Sequence, residues 1–361
     1  MKKLLSILFC LAFAAGAAEA KTYYVDATRP NNNGNGLKVS TAKKTIQAAV
    51  NIAAAGDTIL VYPGTYPAIK TNNKKITIKS VKGSSTTKIV RPNNDSEVVI
   101  AHLGKQTSYW WDISGKNTSL VGFLIDGKNI CNYRQTMGVG GGQLKSCVLQ
   151  RVIGSGADIA GEATLTGCII RNNSDGGISS SILNRCKVTG NEGCSFWGGR
   201  LANCLVTDNK GWGCADSDDS MGSLFNETVV VNCTLFKNCS WYSSGEKPLV
   251  AYKSKFYNCI LRNNYHRLKN HGNSGWLYGK IVIHNADTAK TYANIYYQTF
   301  TDNRDPKFTN PDNGVFTLKT GSGCINKGKL TDTLKKYAGT LDLAGKTRVR
   351  GSVIDLGCYE Y

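Results

Sequence analysis

The sequence predicts an all-β chain, a right-handed parallel β-helix solenoid with a short N-terminal capping helix. Three observations carry this reading. One short pattern recurs six times between Leu144 and Asn264. The spacers between copies are rich in Gly and Ser and show no helical apolar period. An amphipathic helical stretch precedes the first coils, where it can cover an otherwise open apolar end.

Each copy reads apolar, two residues, Cys, any residue, apolar, two residues and then Asn, with Val152 in place of Asn in the first copy. The cysteines are Cys147, Cys168, Cys186, Cys204, Cys233 and Cys259, at intervals of 21, 18, 18, 29 and 26 residues. The closing positions are Val152, Asn173, Asn191, Asn209, Asn238 and Asn264. Recurrence at a coil-sized period marks a solenoid, whose repeats bury their apolar sides only against one another. Cys and the apolar residue two later are expected on one face of a strand. Asn is expected at the bend, because it tolerates left-handed backbone. A leucine-rich horseshoe fits less well, since 18 residues falls below its usual ~20–29. At ~4.8 Å per stacked strand, ten or so coils make a rod about 50 Å long.

Residues 1–20 read as a secretory leader, with Lys2-Lys3, an apolar run from Leu4 to Ala15, and the cleavage site Ala18-Glu19-Ala20. A secreted or cell-surface location is therefore expected. The apolar run is too short to span a bilayer, and no later stretch is long enough. Thr22–Val25 reads as the opening strand. The Asn-rich loop Pro30–Gly36 offers no carboxylates, so tight calcium binding is not expected there. Thr45 to Ala55 has helical spacing, with Ile46, Ala49, Val50 and Ala53 on one face and Gly56 as the stop. Strands follow at Thr58–Tyr62, Ile76–Ile78, Lys88–Val90, Val98–Ala101 and Leu120–Ile125. Late strands are expected at Ile281–Ile283 and Ile295–Tyr297. The chain thus divides into a cap with the first coil (21–70), coils (71–300) and a closing segment (301–361).

The 361 residues carry 44 Lys and Arg against 25 Asp and Glu, a net charge of +19. Loss of Lys2, Lys3 and Glu19 with the leader leaves +18. Such a balance either serves solubility or draws a polyanion such as an acidic polysaccharide, an anionic lipid or nucleic acid. Export makes nucleic acid the least suitable partner, and an acidic polysaccharide the expected one. Of 13 cysteines, removal of Cys10 leaves 12, and the even count in an exported chain permits disulfides. The six repeat cysteines are expected as small buried hydrophobes. Cys131, Cys194, Cys214, Cys239, Cys324 and Cys358 are the better disulfide candidates.

Both ends carry further motifs. The runs TYYVDATRP and STAKKTIQAAVNIAAAGDTILVYPGTYP precede the coils. Asp305-Pro306-Lys307-Phe308, Phe316-Thr317-Leu318, Gly321 to Gly328, Asp342-x-x-Gly345-x-x-Arg348 and Ile354 to Glu360 follow them. Together with the coils, these resemble bacterial exported pectate-lyase-like β-helix proteins of the choice-of-anchor Q group. The resemblance spans essentially the whole mature chain. It implies the fold and export, and it implies no single activity, because one fold hosts many. Members of that group often continue into a surface-sorting tail, which is not seen before Tyr361. Cys324 and Cys358 stand where the group more often has small residues or Pro, so a disulfide between them is expected.

The 29- and 26-residue intervals hold insertions, expected as loops over Gly211–Phe225 and Cys239–Lys253. Loops on a rigid scaffold commonly carry function. Asp216, Asp218 and Asp219 supply closely spaced carboxylates suited to calcium; a solvated loop is the alternative. Trp197, Trp212, Trp241, Tyr242 and Trp276 suit sugar stacking, and Lys253 suits an acidic substrate. Tyr265 to Gly272 is the densest basic patch, expected on a turn. Eliminative cleavage of a uronate chain needs a cation against the carboxylate and a base for the carbon-bound proton. Arg267 or Lys269 suits the first role, and His266 or His271 the second; a solvated basic turn is the alternative. The order of Asp218-Asp219, Arg267-Leu268-Lys269 and His271-Gly272 does not match polygalacturonases. No nucleotide loop, zinc signature or serine-hydrolase elbow occurs. Two functions remain: a polysaccharide lyase-like enzyme, or a non-catalytic adhesion protein of the surface or matrix.

Overall fold

The computed structural model describes residues 19–93, 98–109, 112–130, 135–154, 157–211, 224–242, 251–269, 276–280, 295–297, 305–349 and 353–361. Three parallel sheets of 11, 9 and 8 strands run the length of the chain. Successive coils contribute one short strand to each, so the chain is a parallel β-helix.

The coil from Gln143 shows how the repeat folds. Gln143–Lys145 lies in the first sheet, Val148–Gln150 in the second and Ala160–Gly161 in the third. Leu144 points inward and stacks in register on Leu120 and Leu165. Leu149 stacks likewise between Ile125 and Ile170. All six are fully buried, and each such side chain contributes about 1.5–3 kcal/mol. In the third sheet the inward positions widen to Phe196 and Phe225, stacked with centroids 4.8 Å apart.

The repeat pattern therefore spans two strands, where the sequence reading placed it in one. The cysteine occupies the corner between the first and second sheets, facing the core. The left-handed residue there is the one before it, such as Ser146, Arg185, Asn203, Asn232 or Asn258. The second corner works in the same way: Arg151, Asn172, Asp208, Lys237 and Asn263 take positive φ, and the residue that follows, Val152 or an Asn, does not. That Asn turns inward instead. Asn173, Asn191, Asn209, Asn238 and Asn264 are buried; each of the first four donates from Nδ2 to the next Oδ1 at 2.8–3.0 Å, and Asn264 Nδ2 donates to Leu235 O at 3.0 Å. The same oxygens accept from backbone amides of the preceding coil, as Asn209 does from Asn191 N at 3.2 Å. A buried amide satisfied this fully is what makes Asn tolerable inside the rod.

Other expectations shift by a few residues. The helix α1 covers Ile46–Ile52, with Thr45 as N-cap and Ala53 rather than Gly56 at its C-terminus. Its last carbonyls are held by the Lys74 ammonium, 2.7 Å from Val50 O and 2.9 Å from Ala53 O. Ile46, Ala49, Val50 and Ala53 join the main core, as their spacing predicts. The stretch Leu120–Ile125 is two strands, split by a corner at Gly122-Phe123. Ile281–Ile283 lies outside the described residues.

After the coils the chain returns along the rod. Phe308, Phe316, Leu318, Cys324, Leu356 and Cys358 pack on Leu205, Phe236 and Ile260, outward residues of the second sheet. Helix α2 (Asp332–Ala338) caps the outer side chain of Asn203 with Ala338 O. The closing segment's polar residues form one buried cluster. Arg348 Nε lies 3.1 Å from Glu360 Oε1, while Asp342 and Asp355 accept backbone amides at 2.7–3.0 Å. Burial pushes the Glu360 carboxyl up to about 7 against the pull of Arg348.

The ten described cysteines are all buried and none is disulfide-bonded. The expected Cys324–Cys358 bond is not formed; both residues pack in the closing cluster, where apolar burial accounts for them. Burial also pushes the Cys147, Cys186 and Cys204 thiols well above their usual range.

Candidate functional site

The corners of the rod differ in how much chain they carry. Among the described residues, every connection from the first sheet to the second between Val121 and Ile260 spends two residues, such as Ser146-Cys147 or Asn258-Cys259. The connection from the second sheet to the third varies from coil to coil. It runs from Asp126 to Thr136, from Arg171 to Ile178, from Thr207 to Phe225, and from Phe236 to Ala251. The insertions expected from the sequence thus fall within the connection from the second sheet to the third. Conserving the interior while varying one corner is how a solenoid carries a site.

Along the outer face of the third sheet, the register aligns Lys70, His102, Gly140, Gly161, Ser179, Trp197 and Asn226. Trp197 is 39% exposed, a high value for an indole. Next to it lies a carboxylate. The Ser179 hydroxyl donates to Asp158 Oδ2. Two glycines make room for this group: a Cβ on Gly161 would come within 2.8 Å of Asp158 Oδ2, and one on Gly177 within 3.2 Å of Oδ1. The same Gly177 position lies 3.5 Å from Trp197 Cδ1, so carboxylate and indole flank one point. Burial pushes the Asp158 carboxyl up to about 6, against the lowering effect of the Ser179 hydroxyl. A carboxyl poised there exchanges a proton near neutral pH, as a general acid or base must. His102 is a poorer candidate. It is buried, and burial with the nearby Lys70 charge lowers it to about 4, so it stays neutral.

Asp158 and Ser179 escape the sequence reading. The available signal is positional. Asp158 stands two residues before inward Ala160, where the next coils carry Gly176 and Cys194.

Of the residues singled out from sequence, Trp197 is on this face. Trp212, Asp216, Asp218, Asp219 and His271 lie outside the described residues. Among the described residues no group of three His, Cys, Asp or Glu side chains is placed to hold a metal. His266, Arg267 and Lys269 are on a strand, Tyr265–Lys269, and not on the expected turn. That strand is central in a three-stranded sheet, between Cys239–Tyr242 and Trp276–Lys280. Arg267 stands opposite Trp241 and Tyr278, Tyr242 opposite Leu268, and Lys269 opposite Trp276. The reason is backbone pairing: two successive coils carry extra chain at the same corner, and their strands satisfy each other's amides. Cys239–Tyr242 is likewise strand where a loop was expected. Lys253 is at a different corner, after the third sheet, 3.7 Å from Glu227.

The basic strand and Asp158 share the variable corner but not one spot. Bridges step from Ile153 through Ser174, Glu192 and Lys210 to Cys239, and then to Tyr265. Five steps of ~4.8 Å separate them by about 24 Å along the rod. They can touch one polymer, but not one glycosidic bond.

No protein family and no curated protein matches the sequence. Solved structures do resemble the fold. A pectate lyase, Pel9A, superposes with a TM-score of 0.55 at 16% identity, over 96% of this chain and 97% of that one. The pectin methylesterase PemA from Erwinia chrysanthemi gives a TM-score of 0.40 at 13% identity, over 89% and 98%. The chain has the parallel β-helix fold that Pel9A has.

Proposed function

We propose that this protein is an exported β-helix of the choice-of-anchor Q type that binds acidic polysaccharide along its third-sheet corner and cleaves it by a lyase-like elimination. The observation that carries this is the Asp158–Ser179–Trp197 group, a carboxyl near pKa 6 beside an exposed indole. An exposed indole offers a sugar its apolar face. Asp158 takes the carbon-bound proton beside the uronate carboxyl, with Ser179 orienting its carboxylate; the freed electron pair forms the C=C bond of the unsaturated sugar as the neighbouring glycosidic C–O bond breaks, and the departing oxygen takes its proton from solvent. Arg267 and Lys269 hold uronate carboxylates of sugar units farther along the same chain. The net charge of +19 supports an anionic ligand. Asp216, Asp218 and Asp219 are proposed as ligands for a calcium ion.

The test is incubation with polygalacturonate, alginate and glycosaminoglycans, with and without calcium, read by the ultraviolet absorbance of unsaturated uronate. Asp158→Asn should retain binding and lose turnover. Trp197→Ala should weaken binding about tenfold, the scale of one lost aromatic contact. The distance between Asp158 and the basic strand favours a second reading, a non-catalytic adhesion rod. Binding by the wild-type protein with no absorbance change on any substrate from pH 5 to 8 would establish that reading and remove the lyase.

A further inference from the structure

The second sheet's outer face carries a strip of in-register side chains that ends where the closing segment covers Leu205. Register aligns Lys88, Leu124, Val148, Ile169 and Lys187 one above another. The next residue in the column, Leu205, is buried under the closing segment. Leu124, Val148 and Ile169 remain half-buried, with no such cover among the described residues.

Cations rim this aliphatic strip. Exposed Arg171 lies in the neighbouring column, its guanidinium 3.1–3.2 Å from Gln150 Oε1. Lys145 and Arg185 stand at the corner on the other side. Among the described residues none of Lys145, Arg171, Arg185 and Lys187 has an ion-pair partner. The acid in these columns, Asp126, is buried and already held by Arg151, whose Nε lies 2.8 Å away.

We infer that this strip is a second polysaccharide track, one that holds an extended acidic glycan parallel to the rod axis and away from the Asp158 site. The ligand class rests on the function proposed above; the location does not. A sugar ring presents C–H faces to an aliphatic strip and its carboxylates to the rim. The rungs advance by ~4.8 Å, close to the advance of one unit in an extended hexuronate chain. The strip of five rungs is about 19 Å long on that spacing and takes roughly four units. A flush, regular surface of this kind suits a linear polymer. An anionic membrane would call for apolar side chains that protrude, and Leu124, Val148 and Ile169 do not.

The test reads binding alone, with fluorescein-labelled polygalacturonate and anisotropy over a salt series. Arg171→Glu with Lys187→Glu, both exposed positions, should weaken polymer affinity about tenfold and flatten its salt dependence. Arg171→Gln with Lys187→Gln should do so to a smaller degree. Lys38→Glu with Lys319→Glu makes the same change in net charge on other surfaces and should leave affinity near wild type. Equal losses in the two charge-reversed proteins, or none in the first, would overturn the track. No polymer binding by the wild-type protein would instead overturn the ligand class and the track together.

Discussion

Replacing Asp158 with Asn should make the protein more stable, and more so as pH rises. The carboxyl moves from 3.8 in the unfolded chain to about 6 in the folded one. The fold therefore favours the protonated form. Its stabilising contribution is complete below pH 3.8 and is lost as pH rises through about 6. The shift corresponds to about 3 kcal/mol. Asn keeps the shape and can still accept from the Ser179 hydroxyl, but it cannot ionise. The variant should thus match wild type near pH 4 and exceed it by about 2–3 kcal/mol at pH 8. Denaturant unfolding at both pH values measures this directly, with equal m required because repeat proteins can unfold piecewise. The comparison cancels the other titrating groups, including Glu360. An Asn variant no more stable than wild type at pH 8, or equally offset at both pH values, would refute the placement of Asp158 in a desolvated site. A stabilised but inactive variant would mark the strain as belonging to function.

Three further outcomes follow from the interior. Asn209→Ala removes the acceptor of Asn191 N and the donor to Val188 O, so thermal or urea unfolding should show a loss of about 2–4 kcal/mol. Arg348→Met leaves Glu360, Asp342 and Asp355 without their buried cation; a loss of about 3–5 kcal/mol is expected, seen as faster limited proteolysis between Asp305 and Tyr361. The repeat thiols are buried and their pKa values raised, so a thiol-directed chromogenic reagent should not react with them until denaturant is added.

The sequence reveals the interior because the interior repeats. Leu144, Cys147 and Leu149 each sit at a fixed place in a coil, and a fixed place admits few residue types. The corner carrying the left-handed backbone was misplaced by one residue. Asn is both a good left-handed residue and a good buried amide, and the pattern alone does not distinguish these uses. The basic segment misled for a related reason. Its charges suggested a solvated turn, while its pairing partner, Cys239–Tyr242, is 26 residues earlier in sequence.

Sequence alone determined the solenoid, its inward residues, the capping face of α1 and the surplus of positive charge, since each follows from local period or composition. Only tertiary structure decided which side chains from different coils meet. Asp158, Ser179 and Trp197 come from three successive turns of the rod. Stacking turns at ~4.8 Å brings residues some 20 positions apart into contact, and no local pattern encodes that meeting.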